Sequence, residues 1–258
     1  MLALAAALGL LIGLIVGTLG GGGAILALPV LVYVLDQPVG PASTAALIVV
    51  AVAAAVGAGA LAFRGQICWR LALTFSLPAA VGALLGALGS TTVSARVLLL
   101  AFVPVMLTAA YATWVRAGSD QPDDEGDCPN PRAMRIIVAG VGVGLLTGFF
   151  GVGGGFLIVP VLTVWMNVSF RRAIATSLVI ITLTGVVALV SHMLAGATPD
   201  ADVTAALAVP TALGAFLGAI VSQRLPQALL GRAFAAIVAT LACLLALDAL
   251  VLGGPPGS

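Results

Sequence analysis

Long apolar segments separated by short polar ones run along the whole chain. Each half divides into five apolar elements, predicted at 2–19, 24–35, 42–63, 71–89 and 96–115 in the first half, and at 134–150, 155–166, 173–192, 203–221 and 229–251 in the second. An apolar helix of about 20 residues crosses the roughly 30 Å hydrocarbon core of a bilayer. The second element of each half has about twelve residues, or about 18 Å of helix, and is therefore predicted to be a half-helix.

The two halves are copies of one unit. Gly13–Leu31 reads GLIVGTLGGGGAILALPVL and Gly144–Leu162 reads GLLTGFFGVGGGFLIVPVL, with ten of nineteen positions identical at an offset of 131. A second block, Pro78–Ser90, matches Pro210–Ser222 at an offset of 132. Such a match over two blocks indicates duplication.

Composition places most of this surface in lipid. Apolar residues make up 62% of the chain and charged residues 7%, with a mean hydropathy of +1.25, whereas soluble proteins carry about 25% charged residues. All ten basic residues are arginine, and no basic patch suggests nucleic acid. The N-terminus lacks the positive region of a signal peptide.

The arginines distinguish two arrangements of these elements. If each glycine-rich break only kinks the chain, five arginines fall on each face, against the cytoplasmic excess that membrane proteins show. If each break reverses the chain, nine share one face and only Arg96 lies opposite. We therefore expect an all-α integral membrane protein with two inverted repeats, each of four long helices and one half-helix. Repeat 1 is placed at 1–115, a cytoplasmic linker at 116–133, repeat 2 at 134–252 and a disordered tail at 253–258, with both termini outside.

Glycines are expected to act in two ways. Small-xxx-small spacing, as in Gly13/Gly17 and Gly214/Gly218, favours close helix packing. The dense clusters should instead unwind the chain, because each glycine costs a helix about 1 kcal/mol relative to alanine. Unwound backbone at membrane depth is tolerated where it lines a cavity or is buried in protein. The half-helices starting near Ala24 and Gly155 would then point their N-termini, which favour anions, at one site near the midplane; purely structural hinges are the alternative. The candidate backbone residues are Gly20, Gly21, Gly22, Gly23, Ala24, Gly151, Gly153, Gly154 and Gly155.

Hydroxyl side chains next to the first break, and early in the long helices that follow the half-helices, are further candidates for this site. They are Thr18, Thr44, Thr176 and Ser177, although such residues often bond to a carbonyl one turn earlier instead. His192, the only histidine, is either a structural residue at the end of a helix or a proton-coupling group. The three cysteines form no CxxC pair, so we expect small apolar side chains and one loop thiol rather than a metal or redox site. No catalytic residue, metal or cofactor is predicted.

These motifs resemble the sulfite exporter TauE/SafE family of permeases. The resemblance rests on the paired glycine-rich breaks followed by Pro-Val-Leu, on Ala175-Thr176-Ser177-Leu178, and on Arg64-Gly65, Trp69 and the Leu77–Gly86 segment. It implies a bacterial or archaeal inner-membrane carrier for sulfur-containing anions such as sulfite or organosulfonates. The first half has Ala45-Ala46 where the second has Thr176-Ser177, so hydroxyls would line the site from one side only.

We therefore predict a secondary transporter in which one repeat rocks against the other around the breaks. Its expected partners are the small anion, the lipid bilayer and a coupling ion, either a proton or sodium, with no nucleic acid. An intramembrane enzyme is the first alternative, and it would need a nucleophile–base pair or metal ligands at membrane depth. A membrane scaffold that transports nothing is the second.

Overall fold

The computed structural model describes residues 2–21, 26–27, 30–35, 37–90, 95–119, 128–129, 131–150, 155–194 and 201–247. Its elements are α1 (Leu2–Leu19), α2 (the π-helical segment Val30–Val34), α3 (Val39–Ala62), α4 (Trp69–Ser90), α5 (Ala95–Ala117), α6 (Ala133–Phe150), α7 (Gly155–Pro160, continued as a π-helix over Val161–Trp165), α8 (Phe170–Leu194), α9 (Ala201–Ser222) and α10 (Gln227–Leu247). No strand occurs in these ranges, which confirms the predicted all-α fold. Each helix of the first repeat has its counterpart five helices later.

Six helices have the length and apolar composition needed to cross a membrane. They are Pro41–Ala62, Trp69–Ala87, Ala133–Phe150, Phe170–Leu194, Ala201–Ser222 and Gln227–Leu247. Three shorter apolar helices, Ala5–Leu19, Ala101–Ala117 and Gly155–Trp165, accompany them in the described ranges. The protein is therefore a multi-pass membrane protein.

Glycine contacts hold together two equivalent helix pairs, α1 with α9 and α4 with α6. A Cβ atom added at Gly13 would lie 1.9 Å from the carbonyl oxygen of Thr211, and one at Gly144 would lie 2.1 Å from that of Ala79. The same contacts recur four residues later on both helices of each pair, at Gly17 with Ala215 and at Gly148 with Ala83. The helices in each pair are therefore parallel, and the predicted close packing at these glycines is confirmed.

Each of these pairs joins the two halves of the chain. The first helix of one repeat lies against the fourth helix of the other, so that the repeats are interleaved rather than set side by side. Helices α3 and α8 lie between the pairs, α3 against α9 and α8 against α4.

Helices α3 and α8, the third helices of the two repeats, pack against each other in opposite directions. Thr44 contacts His192 near the start of α3, whereas Gly57 faces Leu178 near its end. Between them, Gly185 of α8 faces Ala51 of α3. Residue numbers thus rise along one helix while they fall along the other.

Nine of the ten arginines gather at one end of the helices, called here the arginine end. Contacts between segments join its parts: Arg172 to Cys128 of the linker, Arg171 to the Leu225 carbonyl oxygen, and Arg232 to the Trp114 ring. Arg96 begins α5 at the opposite end, about 30 Å from Arg116 along that helix. The members are Arg64, Arg70, Arg116, Arg132, Arg135, Arg171, Arg172, Arg224 and Arg232.

Cys68 and Cys128 form a disulfide at this end. The expectation of unlinked apolar cysteines and one loop thiol was therefore wrong for these two, while Cys243 is free and exposed. The partners are 60 residues apart in the sequence. Only the fold brings the linker next to the loop that precedes α4, so local spacing could not reveal the pair.

Candidate functional site

The two glycine-rich breaks meet midway along α8. A Cβ atom at Gly21 would lie 2.7 Å from the Gly155 carbonyl oxygen, and one at Gly155 would lie 2.9 Å from the Gly21 carbonyl oxygen. The Ile181 side chain is within 2.9 Å of both added atoms. Because Ile181 is eleven residues from the start of α8 and thirteen from its end, the breaks touch near the middle of the helix.

Gly20 and Gly21 end α1 in conformations that other residues rarely adopt. Their φ angles are +70° and +125°, and glycine reaches this region without steric cost. A Cβ atom at Gly20 would also lie 2.6 Å from Ser177 Oγ. The chain therefore leaves the α1 helix at a point where both its direction and its close contact with α8 require glycine.

Ser177 joins α8 to the first break. Its hydroxyl lies 2.7 Å from the Gly20 carbonyl oxygen and 2.8 Å from the Ile174 carbonyl oxygen, to both of which it can donate. The side chain is fully buried. The single hydroxyl proton of Ser177 is therefore shared between a carbonyl that the end of α1 leaves without a helical partner and the carbonyl one turn back in α8.

Thr176, the neighbouring residue, faces the loop before α4. Its Oγ1 atom accepts a hydrogen bond of 3.1 Å from the backbone N–H of Cys68, and the side chain is fully buried. Sequence reasoning placed Thr176 at the site but gave no sign of this partner. The bond couples the start of α4 to the stretch of α8 that contacts the first break.

Thr44 lies apart from this cluster. Its hydroxyl is 3.0 Å from His192 Nδ1. Thr44 precedes Gly57, which faces Leu178, by thirteen residues of α3, or roughly 20 Å along the axis. Helices α3 and α8 run in opposite directions, so residues that match in sequence fall at opposite ends of this pair.

The remaining predicted residues divide into two groups. Thr18 donates to the Leu14 carbonyl oxygen one turn earlier, at 2.7 Å, which is the structural alternative considered for such hydroxyls. Gly22, Gly23, Ala24, Gly151, Gly153 and Gly154 lie outside the described residues.

Both half-helices end in the same π-helical turn. The N–H of Leu35 bonds to the Val30 carbonyl oxygen, and that of Met166 bonds to the Val161 carbonyl oxygen. In each repeat this turn follows a proline, Pro29 or Pro160. Proline lacks the N–H of a regular helix and clashes with the carbonyl one turn earlier, which favours a wider turn.

Arg116 fixes the far end of α7, a role that the sequence pattern did not reveal. Its Nε atom donates to the Thr163 carbonyl oxygen at 3.2 Å, and its Nη2 atom donates to Asn167 Oδ1. Asn167 has a φ of +55°, a turn conformation that asparagine tolerates better than most residues. Half-helix α7 therefore runs from the meeting point of the breaks to the arginine end, with its N-terminus at the meeting point.

The two breaks therefore meet beside α8, where the Ser177 hydroxyl bonds to the first break and the Thr176 hydroxyl bonds to the loop before α4. A helix N-terminus presents N–H groups without helical partners and a partial positive charge of about half a unit, which favours anions. The neighbours of Gly20, Gly21 and Gly155 are carbonyl oxygens, a hydroxyl and aliphatic side chains.

Comparison with known proteins gives a consistent picture. A family model described as "Sulfite exporter TauE/SafE" matches residues 5–245. A probable membrane transporter protein of Xylella fastidiosa strain Temecula1 is 34% identical over 194 residues, covering 70% of each chain. A probable membrane transporter protein of Methanocaldococcus jannaschii is 29% identical over 196 residues, covering 72% of each chain. The probable membrane transporter protein YdhB of Bacillus subtilis is 25% identical over 221 residues, covering 85% of this chain and 90% of its own. No solved structure matches the chain.

Proposed function

Since the chain belongs to the sulfite exporter TauE/SafE family, we propose that this membrane transporter carries small sulfur-containing anions, such as sulfite or organosulfonates, past the point where its two breaks meet. The observation that carries the proposal is the contact of Gly21 with Gly155 midway along α8. Transporters built from inverted repeats place their substrate sites where interrupted helices meet near the midplane. The opposite directions of α3 and α8 support inversion of the repeats.

Backbone groups of the breaks would bind the anion, and hydroxyls of one repeat would assist. The proposed contacts are Gly20 to Ala24 and Gly151 to Gly155, with Thr176 and Ser177 on one side. Ser177 supports this placement because its hydroxyl already bonds to a backbone atom of the first break. Thr18 and Thr44 are left out of the proposed first contacts, since Thr18 bonds within α1 and Thr44 bonds to His192 near the far end of α8.

Alternating access would then use moving units that each contain helices from both repeats. The tightest packing joins α1 to α9 and α4 to α6, so each of these pairs would move as one body. Helices α3 and α8 lie between the two pairs, and the breaks meet beside α8. A single repeat moving as a body would instead pull apart both glycine interfaces.

The arginine end is proposed to face the cytoplasm. Basic residues concentrate on the cytoplasmic side of membrane proteins, and nine of ten arginines lie at this end. The linker would then be cytoplasmic and both termini outside, in a bacterial or archaeal inner membrane. The sequence contains no phosphate-binding loop, so an ion gradient, of protons or sodium, or the substrate gradient would supply the energy.

Uptake of ³⁵S-sulfite and of a labelled organosulfonate into proteoliposomes tests the proposal. Gly155→Ala should reduce uptake at least tenfold, because its methyl group would lie 2.9 Å from the Gly21 carbonyl oxygen. Gly142→Ala is the matched control, since its methyl group meets nothing within 4 Å. Indifference of the wild-type protein to every sulfur anion would overturn the substrate class.

A further inference from the structure

The Cys68–Cys128 disulfide lies where three helices begin. Cys68 directly precedes α4, Cys128 lies five residues before α6, and Thr176 is in the second turn of α8. The N–H of Cys68 bonds to Thr176, and Arg172 of α8 approaches the sulfur of Cys128. The bond thus fastens the linker between the repeats to a loop that touches the candidate site.

The two sulfur atoms differ in their surroundings. Cys68 is only 2% exposed, whereas Cys128 is partly exposed. The Arg172 Nη1 atom lies 3.4 Å from Cys128 Sγ. A cation next to a cysteine favours the thiolate, which is the form that reacts with disulfides. Removing the Arg172 charge is therefore the decisive test.

We propose that Cys68 and Cys128 form a reversible thiol–disulfide site, in which Cys128 is the reactive thiol, Arg172 activates it, and small-molecule disulfides and dithiols are the reaction partners. Formation of the Cys68–Cys128 disulfide begins when the Cys128 thiolate attacks one sulfur of a small disulfide. A new S–S bond forms at Cys128, the S–S bond of the small molecule breaks, and one small thiolate leaves.

The second step completes the exchange. Cys68 gives its proton to solvent and attacks Cys128 Sγ, so that the protein disulfide forms and the second small thiolate leaves. Two protein thiols are oxidised and one small disulfide is reduced to two thiols. A dithiol reverses both steps and leaves as its own disulfide.

The resting state depends on the compartment that the arginine end faces. In the proposed topology this end is cytoplasmic, where thiols are kept reduced. Cys68 and Cys128 would then be thiols in the resting cell. Oxidation would form the disulfide and link the linker covalently to the start of α4. The chemistry itself depends neither on the proposed anion nor on the proposed topology.

Thiol kinetics on the full-length protein in detergent test the site, with Cys243→Ser as the background because Cys243 is free and exposed. The probe is an aromatic disulfide that releases a coloured thiol. With Cys68→Ser, the remaining Cys128 should react at least tenfold faster than Cys68 does with Cys128→Ser. Arg172→Gln should slow Cys128 severalfold, Arg172→Lys should retain most of the rate, and Arg171→Gln is the matched control expected to change nothing.

A second measurement uses the protein with both Cys68 and Cys128 present. Its result therefore does not depend on whether the single-cysteine variants fold. One equivalent of the probe should release two coloured thiols and leave the protein two mass units lighter, without a bound probe. A probe molecule retained on each cysteine would overturn the proposal. So would faster reaction of Cys68 than of Cys128, or an unchanged rate in a folded Arg172→Gln variant.

Discussion

The α1/α9 and α4/α6 pairs use the same glycine contacts, at matching positions and within a few tenths of an ångström of each other. They differ in what surrounds those contacts. The start of α4 is linked covalently to the linker before α6, whereas α1 and α9 contain no cysteine. Duplication has therefore preserved the shape of the backbone and allowed the polar and covalent contacts to diverge.

The largest expected difference between the pairs is the disulfide itself. Reduction, or Cys68→Ser, should lower the free energy of unfolding by about 2–4 kcal/mol, since the bond closes a loop of 60 residues. Thermal unfolding of the purified protein with and without a dithiol measures it, and Cys243→Ser is the control. After reduction, amide hydrogen exchange should become faster at the start of α4 and stay unchanged in α1. An equal increase in both helices would show that the disulfide does not distinguish the α4/α6 pair from the α1/α9 pair.

Under reducing conditions the two pairs should become equally sensitive to overpacking. Gly13→Ala and Gly144→Ala each force a methyl group into a carbonyl oxygen and should each cost about 1–3 kcal/mol. Gly142→Ala has open space and should shift stability by no more than about 0.5 kcal/mol. A cost confined to one pair would show that only one of the equivalent interfaces limits unfolding.

Ser177→Ala should cost about 1–2 kcal/mol, because the Gly20 carbonyl oxygen loses its donor from α8. Ser177→Ala should also reduce sulfite uptake more than Ser191→Ala does. The Ser191 hydroxyl bonds to the Ala188 carbonyl oxygen within α8 and serves as the control. Thermal unfolding and proteoliposome uptake of both variants separate the two effects. Equal uptake in the two would remove Ser177 from the proposed site.

The smallest effect on stability is expected at Thr44, near the start of α3 and away from the Gly57–Leu178 contact. Thr44→Val removes the hydrogen bond to His192 and should cost about 0.6 kcal/mol, the average for such bonds between membrane helices. Thr182→Val, which removes a bond to Leu178 within α8, is the control in thermal unfolding. A cost above about 2 kcal/mol would make Thr44 as important as its counterparts near the breaks.

Local patterns predicted much of this fold. Apolar length gave the described bounds of the long helices to within about four residues, and glycine spacing indicated close packing at the glycines of α1, α4, α6 and α9, because both depend on short stretches of chain. The disulfide and the Arg116 contacts escaped prediction since they join distant segments. Thr44 was grouped with Thr176 because their segments match in the two halves, although helices that run in opposite directions separate them.

The interleaved pairing also sets an order of events during synthesis. The glycine face of α1 finds its partner only when α9 has been made, some 190 residues later. At about 5–20 residues per second, α1 waits in the membrane for roughly 10–40 s. The first half therefore cannot mature before the second is inserted, and quality control must tolerate a half-built protein whose most closely fitting surfaces are still without partners.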